Sequence, residues 1–402
     1  MDKQFCDHFV RRGGILVLCG FIIMILLCVM ACIGGKTPAV NAALSDLDII
    51  RRDSVLWSQA GITYSFIPSA ERKHTDTLHD VTNLQRQLDS LSDRGGGRLV
   101  VPAGRFEVTR TVVIPSDVAI VGVDRDASIF EINMKETFEN SRRVEMPGSR
   151  AAAFLFYQSR NASLENLTIR YVAADFEPFD FDDSNHDWVR AVFHEHDPRT
   201  DSLFVVSVWF QEAENCLLTK CNILQSGTDP VRIRFSRHIT CSFNFIDRAY
   251  NKGGGGAGYY NISNSHHCLV YKETVRRIRH LAIQNNSSYN VVYGCDLQTD
   301  VNFHNGDNGH NLVENNDIMI PVWHSWRPFS FGVPGQHQPP GPYNVIFRNR
   351  TDYKNRGPQV DKDTLYFLAD FFPDSEKGES RFIATPYAEN FPNGVYNQTY
   401  KE

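Results

Sequence analysis

The 402-residue chain lacks several features that would fix its class at once. It has no basic excess: 41 Lys and Arg stand against 47 Asp and Glu, for a formal charge of −6. A basic stripe is what tracks a phosphate backbone, so nucleic acid is not the expected partner. No long run of like charge occurs and apolar content is ordinary, which points to a folded, soluble body. No two cysteines form a CxxC pair, and a zinc site built from thiolates is excluded with it. Gly253-Gly254-Gly255-Gly256-Ala257-Gly258 has the composition of a phosphate loop, yet neither a Lys-Ser/Thr pair nor a helix follows. A turn is the better reading.

What is present begins at the N-terminus. Arg11 and Arg12 precede an apolar run from Ile15 to Ile33, closed by Gly34-Gly35-Lys36. Residues 1–34 therefore read as a signal peptide, a lipoprotein signal or a membrane anchor. Val29-Met30-Ala31-Cys32 resembles a bacterial lipoprotein box with Cys32 lipidated, although Met30 departs from the usual small residue. Left uncut, the run is long enough for one transmembrane helix. Each alternative exports the body, to the cell surface, the outer membrane as a lipoprotein, or the medium.

The body repeats a phrase. It opens at Asn215 (NCLLTKCNI), His238 (HITCSFNFI), His267 (HCLVYKETV), Asn290 (NVVYGCDL), Asn311 (NLVENNDI) and Asn344 (NVIFRN), with openings 23, 29, 23, 21 and 33 residues apart. A period in the twenties, carried by short alternating runs, is the mark of a β-solenoid whose coils bury their apolar faces only by stacking. Cys216, Cys221, Cys241, Cys268 and Cys295 all fall inside the phrases. Their odd number favours buried thiols filling gaps between coils over a disulfide framework.

Upstream, Val81, Leu84, Leu88 and Leu91 keep helical spacing within 78–91. The stretch RLVVPAGRFEVTRTVVIPSDVAIVG then alternates in the strand manner and turns at Pro102-Ala103-Gly104 and Pro115-Ser116-Asp117. Together, NLQRQLDSLSDRGGG, RLVVPAGRFEV and TVVIPSDVAIVGVD resemble the opening of the pectate lyase superfamily. That resemblance implies an all-β fold: a right-handed, single-stranded parallel β-helix (pectin lyase-like) with a short N-terminal capping helix. The expected division is a leader over 35–76, the β-helix over 77–350 and a C-terminal tail or cap over 351–402. Chemistry is implied only weakly, since one fold hosts many activities.

The phrase also serves as a ruler. Lys252, His280, His304 and His324 come thirteen or fourteen residues after four of its openings, which would stack them in one strip. Alternation sends Leu281, Ile283, Val301 and Phe303 inward and turns His280, Asp300, Asn302 and His304 outward. Arg279, Trp323, Trp326 and Arg327 lie beside the strip, and Tyr259, Tyr260, Lys272, Arg276 and Arg277 could extend it into a cleft. Basic groups gathered on an acidic protein suit an anionic polysaccharide.

β-Elimination on a uronate polymer needs the carboxylate neutralised, a base for the adjacent proton and an acid for the leaving oxygen. His280 or His304 fits either proton role, Arg279 and Lys252 the neutralising role, and Asp300 the orienting of a histidine. Trp323, His324, Trp326, Arg327, Asn302, Tyr259 and Lys272 would bind substrate. Hydrolysis would instead use a carboxylate pair, Asp300 with Asp307 and Asp296 nearby, without the Gly-His-Gly turn of this fold's glycosidases. A ladder of mutually satisfied polar residues on a glycan-binding or adhesion protein is the non-catalytic alternative. These residues fix no cofactor. The acidic excursion at Asp175, Glu177, Asp180, Asp182, Asp183 and Asp187 leaves Ca2+ open as a ligand without a fixed ligand spacing. His194-Glu195-His196-Asp197 reads better as a solvated loop than as a metal site.

Overall fold

Alternating apolar side chains in short runs can be buried only if each run pairs with a neighbour on both sides, and the chain meets that demand by coiling. The computed structural model describes residues 45–137, 139, 151–176, 198–252, 257–320, 327–333, 335–351, 365–367 and 388–396. Among these, strands fall into three sheets of eleven, nine and eight members, and each strand pairs with the one a full coil away. One coil runs Arg237–Ser242, Phe245–Ala249, Tyr259–Ser263 and the next Leu269–Tyr271, Thr274–Arg276, His280–Gln284. Their pairings are parallel in all three sheets. Only the last strand, Leu365–Phe367, pairs antiparallel, against Val345–Phe347. This is the parallel β-helix that the resemblance implies. The helix Leu84–Asp93 buries Leu84, Leu88 and Leu91 in the same core as Leu99 and Val101.

The corners explain the repeated phrase. Where a strand of the eleven-strand sheet begins, the backbone enters the left-handed region at Asn215, His238, His267, Tyr289, His310 and Tyr343, all with φ between 54° and 57°. Asn tolerates that conformation best, and His is also enriched there. The ruler therefore slips by one. The bridges His266↔Ser288 and Ser288↔Gly309 put Tyr289 and His310 at this corner, not Asn290 and Asn311. Those two asparagines sit one position further and face inward.

Inside, they close a ladder. Cys268 N–H donates to Asn290 Oδ1 at 2.9 Å, Asn290 N–H to Asn311 Oδ1 at 3.0 Å, and Asn311 N–H to Asn344 Oδ1 at 3.0 Å. At the next corner Cys221 N–H donates to Asn244 Oδ1, Cys295 N–H to Asn316 Oδ1 and Asn316 N–H to Asn349 Oδ1. Glu273 takes the asparagine's place in one coil, accepting from Asn244 Nδ2 at 2.8 Å, and burial pushes its carboxyl up to about 8. The five cysteines are free and buried between these rungs.

The leader forms a strap on the outside. Helix Asp46–Trp57 buries Ile50 and Trp57 against Leu269, Val291, Leu312 and Val345 of the eleven-strand sheet. Trp57 Nε1 donates to His310 O at 2.7 Å, Gly61 N–H to His267 O at 2.8 Å, and Thr63 N–H to Asn215 Oδ1 at 2.6 Å. The strap thus runs back across successive coils to the strand Thr75–Thr77, which pairs with Gly97–Val101. Beneath it the corner rings of His238, His267, Tyr289, His310 and Tyr343 stack at 5.2–5.4 Å. At the other end Val395 and Tyr396 are buried, and their N–H groups donate to the Glu314 carboxylate. Among the described residues no helix is long and apolar enough to cross a membrane, and the run Ile15–Ile33 lies outside them.

Two outcomes test this account. Asn316→Ala removes the acceptor of Cys295 N–H and the donor to Val292 O at 3.0 Å. Leaving those buried groups unpaired should cost about 4 kcal/mol in a denaturant titration. Separately, burial first, then the neighbouring His238 and His266, push the His267 imidazole down to about 4 from 6.5. The unfolded chain takes up that proton first, so the stability tied to a neutral His267 is whole above pH 6.5 and is lost as pH falls towards 4. The thermal midpoint should drop across that window, and less steeply in His267→Gln.

Candidate active site on the eight-strand sheet

The strands of the eight-strand sheet carry the polar residues that the core cannot hold. Leu281, Ile283, Val301 and Phe303 point inward and are wholly buried in the core, as alternation predicts. The register then sets the outward rows. Tyr259 stands opposite His280, and Leu281 opposite Val301 carries His280 onto Asp300. Ala282 pairs with Asn302 and Asn302 with Ser330, while His304 pairs with Gln284.

Asp300 is the hub of the first row. It is fully buried, and its carboxylate accepts from His280 Nδ1 at 2.7 Å, from Asn302 Nδ2 at 3.3 Å, from Thr299 Oγ1 at 3.4 Å and from Ser330 Oγ. A carboxylate only accepts, so the proton of a neutral His280 sits on Nδ1 and the lone pair on Nε2. The His280 ring lies edge-on to Tyr259 with centroids 4.9 Å apart, and His304 is 6.3 Å from the same tyrosine. The Arg279 guanidinium stands 5.8 Å over the Tyr259 ring, with Nη1 donating to Lys252 O at 3.0 Å. Burial pushes the Tyr259 phenol up to about 12. Burial, followed by His337, His280 and Arg279, pushes His304 down to about 4 against the opposing pull of Asp300. Near pH 7 the group thus offers a protonated phenol and a neutral imidazole.

The single strip expected from the ruler does not form. His280 and His304 occupy different rows of adjacent strands, four positions apart, because facing residues here are 20 apart (Ala282 with Asn302) and the two histidines are 24 apart. Lys252 is not on the sheet. It is buried in the loop before Tyr259–Ser263, with Nζ donating to Ala249 O at 2.6 Å, and burial pushes its ammonium down to about 7. Lys272 lies on another flank, over Phe243 and Tyr271 of the eleven-strand sheet. Arg276 and Arg277 pair with Asp296 and Asp247 on the nine-strand sheet. Tyr260 points into the core. Arg327 is exposed just before Phe329–Phe331. Trp323, His324 and Trp326 lie outside the described residues, as do Glu177 to Asp187, His194 to Asp197 and Gly253 to Gly256.

Three members of the group had no place in the expected site. Thr299 and Ser330 hold Asp300, and Ser330 could have been found by carrying Asn302 one coil forward. His337 packs on His304 with ring centroids 4.2 Å apart, from a Gly- and Pro-rich segment that carries no period. A cavity of about 390 Å³ opens elsewhere, beside the nine-strand sheet, lined by Arg170, Tyr171, Phe176, Gln225 and Tyr250. None of the His280 group lines it.

No family model and no curated protein matches the chain. Solved structures do. Escherichia coli YbhC is similar at 12% identity, over 79% of this chain and 97% of that one, with a TM-score of 0.46. A pectin methylesterase from Aspergillus niger is similar at 11% identity, over 75% and 94%, with a TM-score of 0.40. A tailspike mutant of the E. coli bacteriophage HK620, in complex with a pentasaccharide, is similar at 12% identity, over 80% and 54%, with a TM-score of 0.44. At such identities and scores the likeness goes no further than the general course of the chain.

The electrostatics of the group can be read in solution. A histidine-selective NMR titration should find His304 neutral down to about pH 4. A midpoint near the ordinary 6.5 would mean that the ring is solvated and that burial does not govern it.

Proposed function

We propose that the outer face of the eight-strand sheet is the active site of an exported polysaccharide lyase, which cleaves a uronate-containing glycan by β-elimination. The observation that carries this reading is the His280–Asp300 pair set edge-on to Tyr259 at 4.9 Å, with Arg279 over the same ring. His280 Nε2 takes the proton from the carbon next to the uronate carboxylate. The electron pair left behind forms the new C=C bond as the C–O bond to the leaving sugar breaks. Tyr259, a neutral phenol at physiological pH, gives its proton to the departing oxygen. Arg279 sits beside both and offsets the carboxylate charge that opposes deprotonation. Lys252, turned to a backbone carbonyl, takes no part.

His280 and Tyr259 are 2% and 3% exposed, so the glycan must displace what covers them. Shelter of that kind strengthens the charge interactions once substrate is in place. The carboxylates, by contrast, do not suit hydrolysis. Asp300 is engaged by four donors. Asp307 is buried among Asn311, Asn344 and the N–H groups of Gly309 and Gly341, where burial pushes it up to about 6. Asp296 belongs to the nine-strand sheet. Residues 1–34 supply the export signal or anchor in this reading.

The protein should generate the absorbance of an unsaturated uronate on at least one member of a panel of uronate polymers. His280→Ala and Tyr259→Phe should each lower turnover by roughly 100-fold or more with folding intact. Reducing ends without that absorbance would move the protein to the hydrolases. Binding across the panel with no cleavage would make it a glycan-binding β-helix.

A further inference from the structure

His304 and His337 face each other for a reason that elimination does not use. Their ring centroids are 4.2 Å apart at 49°, and the Nδ1 atom of each is buried with no hydrogen-bond partner. Asn302, two residues before His304 on the same outward face, is 2% exposed, and its Oδ1 is likewise buried and unpartnered. The amide is not flipped. Its nitrogen donates to Ser330 Oγ at 2.8 Å and to the Asp300 carboxylate at 3.3 Å, and a carboxylate accepts only from a donor. Three polar atoms of adjacent side chains are therefore withheld from both water and protein, which a folded chain rarely tolerates without a ligand.

The backbone makes room for this pairing. Gly332 follows Phe331, the partner of Phe303, and so lies beside His304. A Cβ at Gly332 would come within 2.6 Å of His337 Cβ and Cγ and 2.9 Å of its Nδ1. Only glycine lets the His337 ring lie down over the strand end.

We propose that His304 Nδ1 and His337 Nδ1 together bind a divalent transition-metal ion, with Asn302 Oδ1 as a third protein donor. Two imidazoles and one amide oxygen select a borderline cation such as Zn2+, Co2+ or Ni2+ over Ca2+ or Mg2+, which take oxygen sets. Imidazole binds metal as the neutral ring. The Asp300 carboxylate one row away supplies negative charge that partly offsets Arg279. A three-donor set leaves coordination positions open. On the lyase reading above, which this role rests on, the uronate carboxylate would take one of them, in the neutralising place that Lys252 does not fill.

The binding claim is tested without turnover. Chelator-treated full-length protein is titrated with Co2+, followed by its visible d–d absorption, and with Zn2+ by calorimetry. One equivalent should bind, and His304→Ala and His337→Ala should each weaken it by at least about 10-fold. Gly332→Ala, which displaces His337 without touching a donor, should weaken it as well, and Ca2+ should not compete. No binding, or one equivalent retained at full affinity in both histidine variants, as from His194 and His196, overturns the proposal. Metal binding without elimination on any glycan would leave this site standing and remove the lyase. Elimination by chelator-treated protein that binds no metal would do the reverse.

Discussion

Everything in the stack depends on each buried corner amide finding an acceptor one coil away. Along the strands the parallel ladder provides it, but a chain that turns inside its own core leaves peptide N–H groups with nothing to bond. Side chains of the adjacent coil supply the oxygen: Asn244, Asn290, Asn311, Asn316 and Asn349 at two corners. Ser236, Ser265 and Ser287 do the same at a third position. These contacts fix where each coil turns, independently of how many residues lie outside the core. That is why the period can wander from 21 to 33 residues while the strands stay in register. The slack collects in loops flanking the eight-strand sheet, and the polar group of Asp300 sits beside them.

Burial moves the titratable groups of this interior and face towards neutrality. Glu273 and Glu314 are pushed up to about 8 and 7, Asp307 up to about 6, Lys252 down to about 7, and His304 down to about 4. An isolated charge in such surroundings is expensive, so Glu273, pushed up to about 8, behaves near pH 7 as a largely neutral hydrogen-bonding group in the ladder. The same physics gives the outer face its chemistry. Tyr259 stays a neutral phenol and His304 a neutral imidazole at one pH because the environment opposes the charged form of each.

The sequence displays the architecture because architecture here is periodic. Alternation placed Leu281, Ile283, Val301 and Phe303 inside and His280, Asp300, Asn302 and His304 outside, and the odd cysteine count matched free thiols in the core. What it could not display is register to the residue. An opening Asn at a left-handed corner and an opening Asn in the inward ladder are the same letter, and Asn215 and Asn290 take different roles. Lys252 and His280, counted from His238 and His267, aligned only because the count ignored the loop that delays Tyr259, the true partner of His280. His337 was invisible for the opposite reason: it reaches the face from an aperiodic segment, and only the third dimension brings it to His304.

The strap over the eleven-strand sheet has a consequence for how the chain is assembled. Residues 46–63 dock on carbonyls and side chains at Asn215, Thr240, His267 and His310, the last 253 residues beyond Trp57. A chain made from its N-terminus produces the strap first and its seat last. Until the coil of His310 has closed, Ile50 and Trp57 have only part of the apolar surface that covers them. Coils can add one by one through near-neighbour contacts, but the strap waits for the coil of His310, and its closure entropy is settled only then. In kinetic terms it is the late event of an otherwise local folding reaction, joining the first-made residues to the last coils.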